Sequence, residues 1–218
     1  TMTTDTRTDP RRVSGLTAYF VGENSAGTES DAAYDQVSLT ARDLMCITRM
    51  SSQLSEDSVI DFGNELANEI AIAFAQKEDE VCFNGTGIST DGGISGLRTK
   101  LATLTAATVG SGLVEATGAT WASIVLADLE EVASVLPTYA DVAGGASWIC
   151  HKSFFWQVMV SLLNAAGGVT PADIQGGKAP MFLGYPVHFS VAYPSATAVS
   201  SVVCTFGNYA MSGTFGDR

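Results

Sequence analysis

Residues 58 to 83 read SVIDFGNELANEIAIAFAQKEDEVCF, and this stretch constrains the fold more than any other. Phe62, Leu66, Ile70, Phe74 and Val81 recur at helical intervals on one face, while Glu65, Glu69 and Glu80 fall elsewhere on the turn. Ser58 and Asp61 are spaced as a capping pair at its start. About 26 residues at a rise of 1.5 Å predict a rod of roughly 39 Å. Burying Phe62, Leu66, Ile70 and Phe74 would contribute on the order of 6 to 12 kcal/mol before entropy is subtracted. Whatever else the chain does, it must lay this rod against a body.

The rod is also where the charge sits. Glu56, Asp57, Asp61, Glu65, Glu69, Glu78, Asp79 and Glu80 face a single cation, Lys77, and the whole chain carries a formal charge of −12. Such a surface repels polyphosphate and anionic lipid, which argues against a nucleic-acid or membrane reader. The 218 residues are 46% hydrophobic, enough for one domain with a buried core or two small domains sharing a joint. Cys46, Cys82, Cys150 and Cys204 are widely spaced beside apolar neighbours. They predict reduced, mostly buried thiols and an intracellular origin. No signal-peptide core opens the chain and no apolar run reaches the ~18 residues of a membrane span, so a soluble protein is expected.

Residues 1 to 12 lack apolar periodicity and predict a disordered or docked arm. Two strand-like runs, LTAYFV and YDQVSLTARDLMCITRMS, flank the polar tip GENSAGTESDAA, the pattern of a long projecting hairpin. Beyond the rod, KLATLTAATVGSGLVEATGAT predicts strand and loop, and TWASIVLADLEEVASVLP a helix with Thr120 as cap, Trp121, Val125, Leu129 and Val132 on one face, and Pro137 as stop. SWIC predicts a buried strand and KSFFWQVMVSLLNAAGG a helix ended by Gly167, while MFLGYPVHFSV and SSVVCTFGN supply two further strands. The mixture points to an α+β or mixed α/β core.

The glycine-rich stretch VCFNGTGISTDGGISGL, residues 81 to 97, is the first candidate for chemistry. GTGIST approaches a dinucleotide fingerprint but places Thr90 where the last glycine belongs, and it leaves a helix instead of opening one. GISG around Ser95 lacks the spacing of a nucleophile elbow, and neither His151 nor His188 sits in a partner motif. His151, at a strand-to-helix junction, is expected to cap or pack; His188 alternates within its strand and is expected to face solvent. Glu65 and Glu69, one turn apart, could hold a divalent ion, but no histidine follows at di-metal spacing. Asp128, Glu130 and Glu131 fare the same, and Phe154, Phe155 and Trp156 suit a core better than a stacking platform. No catalytic, cofactor-binding or metal constellation is predicted. A small serine-type hydrolase using Ser95 or His151 is the rival from another class.

Taken in order, a strand leading into SSQLSEDS, the long helix ending AQKEDEVCFNGTG, then GGISGL, ASWICHKSFFWQV, FLGYPVHFSVAYP and FGNYAMSGTFGDR resemble the major capsid proteins of tailed bacteriophages, the Hong Kong 97-like fold. The resemblance covers roughly residues 15 to 218. It implies an N-terminal arm over 1–15, an extended loop over 16–50, a peripheral domain with the spine helix over 51–100 and an axial domain over 101–218. The glycines then mark the exit from the spine helix. The implied function is a structural shell subunit that assembles with itself into pentamers and hexamers enclosing DNA without sequence-specific contact. Scaffold, maturation protease and portal are the further partners implied, and the virion, assembled in the host cytoplasm, the location. The implied assembly interface comprises Glu23, Asn24, Glu29, Asp31 and Tyr34 in the loop, with Glu65 and Glu69 on the helix. An encapsulin-type nanocompartment enclosing cargo enzymes shares the fold and stays open as the alternative. Family members continue past the F-G-D region and return to the peripheral domain, so a truncated or processed form is expected here. Some crosslink through a lysine in the extended loop; the first lysine here is Lys77, and no such crosslink is expected.

Overall fold

The computed structural model describes residues 5–23, 27–49, 62–104, 112–141, 145–167 and 180–213. It divides into two units, one running to Asp43 and the other from Leu44 to Gly213.

The first unit is a hairpin. Strand β1 (Thr6–Arg12) pairs antiparallel with β2 (Tyr34–Thr40), from Thr6 opposite Thr40 to Arg12 opposite Tyr34. Pro10 is tolerated because a two-stranded ribbon has only edge strands. Past β1 the two arms stay joined by single rungs: Val13 N–H donates to the Ala33 carbonyl at 2.9 Å, the Ser30 hydroxyl bridges Thr17, and the Tyr19 hydroxyl donates to the Thr28 carbonyl. The long hairpin is therefore present, but its regular strand is Thr6–Arg12, in the segment expected to be an arm, and LTAYFV forms no strand. The reason is chemical: 13–19 and 28–33 meet largely through the hydroxyls of Ser14, Tyr19 and Ser30, rungs too irregular for a ladder.

In the second unit α1 (Phe62–Asn84) is the predicted rod, about 35 Å long at 1.5 Å per residue. Ser58 and Asp61 lie outside the described residues. Its least exposed row is Leu66, Ile70, Phe74, Lys77 and Val81, but only Val81 is buried. The stripe lies where its periodicity predicts, and Leu66, Ile70 and Phe74 on it are partly covered, so a part of the burial energy expected of it is realised. A glycine turn then leads into α2 (Leu97–Leu101), whose last two residues open the stretch expected to be strand and loop; 105–111 of that stretch lie outside the described residues.

A short turn at Trp121–Ser123 precedes α3 (Leu126–Ser134), so the helix expected from Thr120 starts later and Val125 becomes its cap, 43% exposed, instead of a core position. Asp128 closes that cap, accepting from the Val125 N–H at 3.0 Å and from the Thr117 N–H and hydroxyl at 3.2 and 2.7 Å. Burial works to raise its pKa, and these bonds outweigh it, holding the carboxyl below its ordinary value.

The core sits on a four-stranded sheet in the order β4-β5-β3-β6. Strand β3 (Ser147–Cys150) runs parallel to β5 (Tyr185–Phe189) and antiparallel to β6 (Cys204–Gly207). Parallel neighbours need a crossover, and α4 supplies it, running from Lys152–Phe154 through a π-turn at Phe155–Met159 to Val160–Ala165. The helix ends as expected, with Gly167 at φ +72°. Strand β4 (Met181–Phe182) joins β5 through Leu183 and Gly184, both at positive φ, 49° and 86°. A short helix α5 (Tyr209–Ser212) follows β6. Trp148, fully buried, is met edge-on by Phe182 at 5.7 Å and at a tilt by Phe206 at 4.6 Å, and Trp121 meets Phe154 edge-on at 5.4 Å. This is an α+β core.

The cysteines divide. Cys150 is buried and Cys204, opposite it across β3 and β6, half-buried, with burial pushing both thiols up to about 12. Cys46 and Cys82 are exposed, against expectation, because Cys82 lies off the covered row of α1 and Cys46 in a segment, 41–49, that forms no strand.

Candidate assembly surfaces

The glycine stretch is a turn closed upon itself. Gly87 N–H donates to Ile94 carbonyl at 2.9 Å, Gly93 N–H to Ile88 carbonyl at 2.9 Å and Gly96 N–H to Gly85 carbonyl at 2.8 Å. Asp91 receives the Thr86 N–H and hydroxyl at 2.9 and 2.6 Å, and these bonds, the hydroxyl's first, lower its pKa. A phosphate loop needs free amides pointing at one spot. Here they are consumed internally, so the turn is structural. Gly85 and Gly96 are required by contact: a Cβ at Gly96 would stand 2.4 Å from the Phe83 carbonyl, and one at Gly85 2.5 Å from the Ile94 oxygen.

Behind this turn sits a residue that no sequence motif marks. Arg98, at the start of α2, donates from Nε to the Val202 carbonyl at 3.0 Å, from Nη1 to the Ala192 carbonyl at 2.7 Å and to Asn84 Oδ1, and from Nη2 to Ser201 Oγ at 2.9 Å. Its guanidinium also lies 5.3 Å from the Tyr193 ring centroid. Asn84, the last residue of α1, donates to the same Ala192 carbonyl at 2.8 Å. The end of the rod is thereby tied to the segment between β5 and β6. Burial lowers the Arg98 pKa, and carbonyl dipoles and the tyrosine face hold its charge. One signal was available: it is the only arginine between Arg49 and Arg218.

The residues proposed for catalysis are not brought together. Among the described residues no hydrogen bond joins Ser95 to either histidine, and His151 Nδ1 accepts from the Ser153 N–H at 3.1 Å as the cap of α4. His188 is exposed on β5. Among the described residues, no group of three or more His, Cys, Asp or Glu side chains could hold a metal, and no helix is long and apolar enough to cross a membrane.

The predicted interface residues lie on two units. Glu23, Glu29, Asp31 and Tyr34 are all exposed on the hairpin; Asn24 lies outside the described residues. Glu65 and Glu69 are exposed one turn apart on α1. What surrounds the hairpin acids was not anticipated: Val13, Leu16, Phe20 and Val21 are 50% exposed or more. A second apolar surface gathers at the end of β5, where Trp156, Phe189 and Val191 are 60, 44 and 88% exposed.

Comparison with known proteins agrees with this architecture. The capsid chain of a native GTA particle, computed with C5 symmetry, superposes with a TM-score of 0.69 at 20% identity, over 95% of this chain and 70% of that one. The capsid of the empty GTA particle gives 0.63 at 20% identity, over 95% and 69%. A chain of Mycobacterium phage Cain gives 0.56 at 16% identity, over 95% and 64%, so this sequence spans under two thirds of that protein. No curated protein matches. The model of the phage capsid family matches residues 1–218. With the fold shared and the family pattern running the length of the sequence, the chain belongs to the phage capsid family.

Proposed function

We propose that this chain is the major shell subunit of a tailed-phage head, acting by self-assembly and catalysing no reaction. The observation that carries the reading is the family match over all 218 residues. The five-fold symmetry in the GTA capsid's description supports rings of this chain as the building unit.

The residues 16–50 act as the extended loop, 51–100 as the peripheral domain and 101–218 as the axial domain. In the loop Glu23, Asn24, Glu29, Asp31 and Tyr34 contact an adjacent copy, and Glu65 and Glu69 on α1 receive a neighbour's loop. A two-stranded ribbon is marginal alone, and exposed Phe20 and Leu16 gain by transfer from water to a neighbour. The charge of −12 keeps packaged DNA from adhering to the wall. Assembly takes place in the host cytoplasm with scaffold, maturation protease and portal as transient partners. Deleting residues 23–33 is the test: electron microscopy is expected to show loss of particles while circular dichroism stays that of the folded chain. Normal particles from the deletion would contradict the loop's role.

A further inference from the structure

The start of α4 and the end of β5 enclose an open hollow of about 580 Å³ lined by His151, Lys152, Trp156, Gln157, Phe189 and Val191, among others. The helix register builds it. Phe155, Val158 and Met159, at i, i+3 and i+4, lie in the core, which leaves Trp156 and Gln157 outward beside Lys152. Phe155 then meets both exposed rings edge-on from beneath, Trp156 at 5.6 Å and Phe189 at 5.4 Å. The rings are therefore held in place before any partner arrives, which is the condition for an interface anchor.

Charge selects the occupant. Between two copies of a chain carrying −12, contact meets least repulsion where one of the two surfaces is poor in carboxylate. No carboxylate lines this hollow; Asp79 reaches it only as acceptor of the Ser190 hydroxyl at 3.2 Å. Lys152 is exposed at its edge, and every copy displays exposed carboxylates such as Glu130 and Glu131 on α3. We infer that the Trp156–Phe189–Val191 surface docks a second copy of this chain, as one half of a head-to-tail contact that closes a ring. This rests on the shell-subunit reading and adds a contact separate from the hairpin.

The test is sedimentation velocity over a concentration series with the chain, Trp156→Glu, Trp156→Phe, Val191→Glu and the 23–33 deletion. Loss of a central aromatic anchor is expected to raise the concentration for half-association by about thirtyfold in Trp156→Glu. Val191→Glu moves the same way, Trp156→Phe associates as the wild type does, and thermal midpoints stay unchanged because both positions are exposed. Wild-type association in both glutamate variants overturns the inference. If those variants form particles and the 23–33 deletion does not, the shell reading stands and this contact falls. A wild type that stays monomeric at every concentration overturns both.

Discussion

Arg98 shows how one side chain fixes the exit from the rod. Its planar fork reaches three separate carbonyl or amide oxygens and one hydroxyl, from Asn84, Ala192, Val202 and Ser201. A lysine ammonium can satisfy only part of that set, since its donors share one point. Hydrogen bonds from a charged donor contribute about 1.5 to 3 kcal/mol each when buried, less here because the group is only partly covered. Arg98→Lys is therefore expected to cost about 1 to 2 kcal/mol and Arg98→Ala about 2 to 3 kcal/mol, read as a shift in urea midpoint at constant slope. Stability equal to wild type in Arg98→Ala would show that the clamp is incidental. No local pattern announces this role, because the four partners come from sequence distances of 14 to 104 residues.

At the scale of elements, the β4-β5 hairpin turns on Leu183 and Gly184 in left-handed conformation, the geometry that favours Asn-Gly. Leucine at φ 49° is strained, and its side chain is 36% exposed, so little packing compensates. Leu183→Asn is expected to stabilise the chain by about 0.5 to 1 kcal/mol, seen as a higher thermal midpoint. A lower midpoint would mean that Leu183 makes contacts worth more than the strain. Elements with a buried apolar signature were legible: SWIC, the α4 stretch with its terminal glycine, and the strands around YPVHF and CTFG. The first strand was not, since TRTDPRR buries nothing and pairs only because YDQVSLT lies opposite. The rod was legible as a helix, but its periodicity could not say that Val81 alone of the described stripe would be fully buried while Leu66, Ile70 and Phe74 stay partly covered.

For the whole molecule, the interface was legible only as a resemblance. The hairpin acids could be named from order of motifs, whereas the Trp156 surface depends on the end of β5 lying beside α4, which no local sequence period marks. Both surfaces expose apolar groups that water disfavours, beside acids on the hairpin and free of lining carboxylate at Trp156. Self-association is the physical answer common to both, and it is the central claim. The measurement that tests it most directly is electron microscopy of the purified chain, paired with light scattering after size exclusion. Rings or closed particles with five- or six-fold averages are the predicted result. A single monomer peak with no ordered particles across the concentration range would contradict the account.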